Sequence, residues 1–284
     1  MPTTASMRDV PVPEAVARAL TRADTTAAIA RFVGTVLKDF FALQFSVRLG
    51  LRKTPVVNVD HPLDEQIPFT PERIGVYLDF IAFWIRPLGW IARHHGMRAF
   101  AHHGGAFLRL IDRCYREAAD VYRAAMTTTR RPRHYRGRFL AIHLFDPHLL
   151  CVPSLHVMIC VLTYTFYRRA LTGLGVPDAE RAALDAELFG DAVAITESVL
   201  LIKQHSVNCV PAALYAMTRI TPADVTPAEV ATFVERLFAD EGLDAAPAVR
   251  EYITAAYDRL LAADDPTWQA GVQRFIREVA APTA

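Results

Sequence analysis

The stretch Cys151-Val152-Pro153-Ser154-Leu155-His156 decides how the chain is read. Proline fixes φ near about −65° and a serine after it caps a helix, so the segment predicts a helix starting at Ser154 with His156 in its first turn. The leading N–H groups of such a helix have no intrahelical acceptor and favour an anion. A second apolar run carries Lys203-Gln204-His205-Ser206-Val207-Asn208-Cys209. Two histidines, a helix start and nearby arginines are the parts from which a phosphate site is made. The competing account is a pair of ordinary core histidines, since the chain contains ten.

Working outward, helical patterns dominate. Glu14 to Leu49 reads as one helix, and Lys53 to Pro71 as non-helical because of Pro55, Pro62, Pro68 and Pro71. Pro71-Glu72-Arg73 opens the next helix, with proline at its first turn and Glu72 suited to the dipole; Arg86-Pro87 interrupts or ends it. Beyond Arg93-His94-His95-Gly96, Ala106 to Ala125 shows a 3.6-residue apolar period. Thr127 to Arg138 is the most basic stretch and contains Arg130, Arg131 and Arg138. It is either a solvated loop or a source of guanidinium groups for oxyanions. The run His143-x2-Asp146-x-His148 has metal-ligand residue types, against which stands Pro147. Asp178 to Leu188 reads as a connector helix, and Asp191 to Met217 as a long apolar helix kinked at Pro211. After Arg219 the composition shifts, with helix starts at Thr221-Pro222-Ala223-Asp224 and Thr226-Pro227-Ala228-Glu229. No β alternation, Gly-rich phosphate loop or repeat is visible.

Bulk composition narrows the classes. At 284 residues the chain can bury a large core, and 52% apolar usage is high for a globular protein. A formal charge of +1 argues against nucleic acid as a partner. Cys114, Cys151, Cys160 and Cys209 have no paired metal-ligand spacing and read as reduced and buried. Pro147 to Tyr167 lacks Asp, Glu, Lys and Arg over about the length of a bilayer span, which predicts membrane association, with a soluble cytoplasmic protein as the alternative. Charged residues inside the other apolar runs, such as Asp79, Arg86, Glu197 and Lys203, require a polar interior.

The sequence Val152-Pro153-Ser154-Leu155-His156 resembles the Pro-Ser-x-His motif of type-2 phosphatidate phosphatases and their relatives, the sphingolipid synthases and vanadium haloperoxidases. Lys203-Gln204-His205 is similar to the second histidine motif, Arg131-Pro132 to the Arg-Pro of the first, and Leu63-Asp64-Glu65-Gln66-Ile67-Pro68-Phe69 to the opening of a helical pair in divergent bacterial members. The resemblance covers roughly residues 60 to 217. It implies an all-α helical bundle acting without metal or cofactor, with His205 as nucleophile, His156 as general acid, and Ser154 and Arg131 on the phosphate oxygens. Arg130 and Arg138 are alternative arginines, and Lys203 a candidate site cation. The chain departs from the family at Cys209, where an aspartate orients the nucleophile; Asn208 stands one position short. Val199 occupies the place of a serine ahead of His205, and Ala124 that of the first motif's lysine.

These readings combine into one expectation. Residues 1–13 form a disordered tail, 14–218 a phosphatase-like helical core associated with a membrane, and 219–284 an amphipathic helical extension. The function expected is a phosphatase or phosphotransferase acting on a lipid phosphate through a phosphohistidine. Altered chemistry on a prenyl or lipid diphosphate, motivated by Cys209, and a non-catalytic helical membrane or interaction protein are the alternatives. Asp64 and Glu197 are read as structural partners of arginines, and Tyr164, Phe166 and Tyr167 as core.

Overall fold

The computed structural model describes residues 6–280; the outermost residues of the expected tail and extension, 1–5 and 281–284, lie outside them. A 3-10 turn over Met7–Asp9 leads into α1 (Val12–Leu20) and α2 (Ala23–Thr35), which runs through a π-helical turn, Val36–Ala42, into α3 (Leu43–Arg48). The proline-dense segment holds β1 (Val56–Asn58), α4 (Pro62–Gln66), a 3-10 turn and α5 (Ile74–Leu78). Then follow α6 (Phe80–Ala124), β2 (Met126–Thr128), α7 (Arg138–Phe145), α8 (Leu155–Gly173), α9 (Asp178–Leu201) and α10 (Cys209–Ile220). The chain closes with α11 (Pro227–Arg236), α12 (Ala246–Ala262) and α13 (Trp268–Val279). The protein is an all-α helical bundle with one long apolar helix.

The expected helix from Glu14 to Leu49 is broken where Arg22 turns extended, at φ −126° and ψ 132°. Arg86-Pro87 does not end the next helix: α6 passes through Pro87, and its break comes at Gly96, whose φ of 79° only glycine adopts freely. The connector and the long apolar helix are also redistributed. α9 is continuous from Asp178 to Leu201, residues 202–208 are non-helical, and Pro211 sits in the first turn of α10.

α8 packs against α6, α9 and α10 at the centre of the bundle. All of residues 157–167 are buried, and Thr163 and Thr165 satisfy their hydroxyls on the carbonyls of Ile159 and Val161, at 2.6 and 2.8 Å. This accounts for the charge-free run: its helical part faces protein on every side, and Pro147 to Ser154 is not helix. By length and composition, one stretch among the described residues could span a bilayer, and it is Pro71–Ala124. Core helices of globular proteins share that composition.

Neither end of the described chain hangs free. Ser6 Oγ donates to Glu187 at 2.8 Å, Arg8 pairs with Asp191, and Met7 and Val10 are buried, so residues 6–13 are docked rather than disordered. α12 packs on α10, and α13 on α6 and α10, with Tyr257 bonded to Thr218 at 2.9 Å and Trp268 Nε1 donating to Glu117 at 2.8 Å. Thr226 caps α11 as expected, whereas Thr221–Asp224 forms only a turn. A Cβ on Gly89 of α6 would lie 2.5 Å from Val10 Cγ1 and 3.1 Å from Ala15 Cβ. Gly89→Ala gains helix propensity of under about 1 kcal/mol but overpacks a buried contact by about 1–3 kcal/mol. A net loss of stability in urea titration is therefore expected, with protease sensitivity appearing first in residues 6–20.

Candidate active site

A small parallel scaffold fixes the Pro-Ser turn. β1 pairs with β2 in register Val56 to Met126, and Thr127 bridges to Leu150. Thr127 accepts from the N–H of Cys151 on its carbonyl, at 3.2 Å, and from that of Val152 on its hydroxyl, at 2.7 Å. Tyr122 Oη donates to the Pro153 carbonyl at 2.5 Å. Ser154 then caps α8 as the sequence predicts, its Oγ accepting from Val157 N–H at 3.4 Å.

His205 comes from the non-helical segment between α9 and α10. Lys203 takes a left-handed φ of 57° there, and its Nζ donates to the carbonyls of Asp64 and Ile67 at the end of α4. Asp64 in turn accepts from Val207 N–H at 2.8 Å. Asn208 donates to the Val59 carbonyl at 3.1 Å and accepts from Tyr252 Oη. The loop is thus held from both sides, by α4 and by α12.

These two anchorages bring His156 and His205 together. Their ring centroids are 5.5 Å apart at an interplanar angle of 67°, and Ser154 Oγ lies 3.4 Å from His205 Nε2. Because that Oγ already accepts from Val157, its proton is available to Nε2. A hydroxyl oxygen can also accept twice, so this contact fits either neutral tautomer of His205. His205 Nδ1 is buried without a hydrogen bond. His156 packs between the rings of Tyr77, at 4.9 Å, and Phe80, at 4.5 Å.

Both imidazoles face a cavity of about 440 Å³ whose walls are mainly apolar, including Phe40, Phe41, Leu78, Phe80, Ile81 and Phe145. Its polar lining adds His148, Asp146 and Gln204. His148, in left-handed conformation at φ 63°, has its ring Nε2 2.8 Å from Thr129 Oγ1, and its backbone N–H donates to Asp146 Oδ1 at 3.0 Å. Gln204 Oε1 is buried with no partner. Burial pushes all three histidines down: His156 to about 4, with Asp146 opposing, and His148 and His205 well below the ordinary value. The charge of Arg131 depresses His148 and His205 further. All three rings are therefore neutral near pH 7, as a nucleophilic imidazole must be.

The predicted cations divide differently. Arg131 is largely buried and bound to Asp146, through Oδ2 at 2.5 Å and the carbonyl at 3.2 Å. It lines a second, more polar cleft together with Arg130, Lys203, Asp60 and Asp64, so its charge reaches the histidines from behind. Arg130 and Lys203 stay in that cleft, and Arg138 is exposed at the start of α7; none of the three lines the histidine cavity. Lys203 is a capping cation for α4. Cys209 opens α10, fully buried, with its thiol driven well up by desolvation, so it supplies no charge to His205. Asn208 is not displaced around a helix from His205; it is a loop residue tied to Val59 and Tyr252. Asp64 and Glu197 accept from backbone N–H groups, of Val207 and of Phe238 (2.5 Å), instead of pairing with arginines.

Sequence reading missed His148, Asp146 and Gln204 as cavity residues. The Asp-Pro-His succession, whose aspartate bonds the following backbone, was the one local signal for the first two. Among the described residues no group of three His, Cys, Asp or Glu is arranged to hold a metal. No protein-family model matches the chain, and neither a curated protein nor a solved structure matches it. The class that fold and site define is therefore an all-α bundle with a histidine-lined apolar cavity, described on its own geometry.

Proposed function

We propose that the protein is a metal-independent phosphatase or phosphotransferase of the type-2 phosphatidate phosphatase kind, acting on a lipid phosphate at the boundary of a membrane. The observation that carries this reading is the approach of the His156 and His205 rings, both lining one apolar-walled cavity, with the buried Ser154 Oγ 3.4 Å from His205 Nε2. In this reading Nε2 attacks phosphorus, forming a P–N bond as the P–O bond to the lipid alkoxide breaks. His156 gives its proton to that alkoxide. A bound phosphate dianion raises the His156 pKa by the same attraction that Asp146 exerts, so the ring is charged when a proton is needed. Water, or a second alcohol, then attacks the phosphohistidine while His156 takes back a proton. The first N–H groups of α8 and the field of Arg131 offset charge on the equatorial oxygens.

A second reading draws on the unbonded Nδ1 of His205 and on Cys209. With no carboxylate to orient the ring, simple hydrolysis is slowed and reaction on a lipid diphosphate is the alternative. The test is phosphate release by the purified full-length chain from phosphatidate and from a water-soluble phosphomonoester in excess chelator, with inorganic vanadate added in a parallel series. Saturable release that vanadate inhibits supports the proposal. Release of pyrophosphate or of monophosphate solely from a prenyl diphosphate selects the second reading. Vanadate binding without turnover of any of these substrates removes both.

A further inference from the structure

The mouth of the histidine cavity is an apolar rim that stays exposed. Phe41, Leu78, Ile81 and Phe145 line the cavity, yet Ile81 is 51% and Phe145 69% exposed. They come from three separate elements: the π-helical turn, the α5–α6 junction and α7. Two of these extend the surface, with Leu37 beside Phe41, and with Leu140 and Leu144 one turn apart on α7, all three exposed. Single apolar side chains on a surface need no explanation, but a ring of them around a cavity does.

The charges beside the rim have one sign. Asp39, Asp79 and Asp146, the carboxylates on or next to these elements, are each neutralised by an arginine: Arg123, Arg86 and Arg131. Lys38 on the π-helical turn, Arg133 and Arg136 just before α7, and Arg138 at its start are exposed and take part in no ion pair among the described residues. An apolar rim bordered by unpaired cations is complementary to the interface of an anionic bilayer.

We infer that this rim docks the protein onto an anionic lipid surface, with α7 and the π-helical turn seated at headgroup level and the cavity opening toward the acyl chains. Lipid then enters the histidine cavity without crossing water. The delivery of substrate rests on the lipid-phosphate reading above; the docking does not.

Vesicle flotation of the purified full-length chain tests the docking without turnover. Co-flotation is expected with phosphatidylcholine–phosphatidylserine vesicles, weaker with phosphatidylcholine alone and reduced by salt. Leu140→Glu/Leu144→Glu is expected to abolish flotation, while its melting temperature and its hydrolysis of a water-soluble monoester stay unchanged. Arg133→Gln/Arg136→Gln/Arg138→Gln is expected to lower affinity for the anionic vesicles roughly fivefold per arginine. His205→Ala should float as the parent does, so failure of the catalytic reading leaves this measurement intact. The inference is overturned if the parent does not float with anionic vesicles, if neutral vesicles bind equally, or if the leucine variant floats normally. It is equally overturned if the rim proves to join two copies of the chain that ignore lipid.

Discussion

On the proposed phosphohistidine route, His205→Ala is expected to reduce phosphate release by at least about 10³-fold, with leaving groups of every acidity affected alike, because it removes the proposed nucleophile. His156→Ala should behave differently. It is expected to cost about 10²–10⁴-fold on a lipid alkoxide but much less on a p-nitrophenyl ester, whose leaving group departs without a proton. The contrast follows from the two roles proposed, Nε2 of His205 beside Ser154 Oγ as nucleophile and the His156 ring, 5.5 Å from the His205 ring, as acid. Rate measurements with both esters, alongside circular dichroism of each variant, decide the assignment. Equal leaving-group dependence in the two variants would remove the acid role from His156.

Acidification from pH 7 to pH 5 should destabilise the fold through the same residues. For His156, with a folded pKa of about 4 and an unfolded value near 6.5, the unfolded chain binds more protons throughout that window. Its stabilisation is complete above about pH 7, and about 2 kcal/mol of it is lost by pH 5. His148 and His205, lowered by burial and by Arg131, pull in the same direction. Glu197 pulls the other way. Burial raises it to about 7, so its carboxyl is protonated on acidification and returns about 2 kcal/mol over the same range. Asp64, also raised by burial, shares that sign. The three histidines are expected to prevail, lowering the melting temperature at pH 5. His156→Phe should flatten the pH slope, and Glu197→Gln should steepen it. A parent melting temperature that is level from pH 7 to pH 5, with both variants parallel to it, contradicts the assignment.

What the sequence made legible was local. Ser154 capping α8 and Thr226 capping α11 follow from residues within one turn of each cap, and the core positions of Tyr164 and Tyr167 follow from the apolar run they occupy. The two histidines, about fifty positions apart in sequence, stand with ring centroids 5.5 Å apart. The helix expected to carry His205 did not form, for a reason no local pattern contains. Lys203 and Asp64 fasten residues 203–207 to α4 from about 140 positions away in sequence, and that tie outweighs the helical preference of an apolar run. Lys203, read as a candidate site cation, instead binds the carbonyls of Asp64 and Ile67, and Asn208 ties the bend to Val59 and Tyr252. Pro87 shows the same lesson in reverse: packing on the core sustains a helix through a residue that usually ends one.

The bond from Tyr252 to Asn208 gives the last quarter of the chain a duty that its unremarkable amphipathic helices conceal. The same tyrosine ring packs tilted against His61, with centroids 4.1 Å apart, so a single side chain of α12 braces both flanks of the bend that presents His205. A protein cut short after Arg219 would keep His156 and His205 yet lose the buttress on the bend that carries His205. The region after Arg219 is foundation for the histidine cavity, and trimming it would remove the support before the residues it supports.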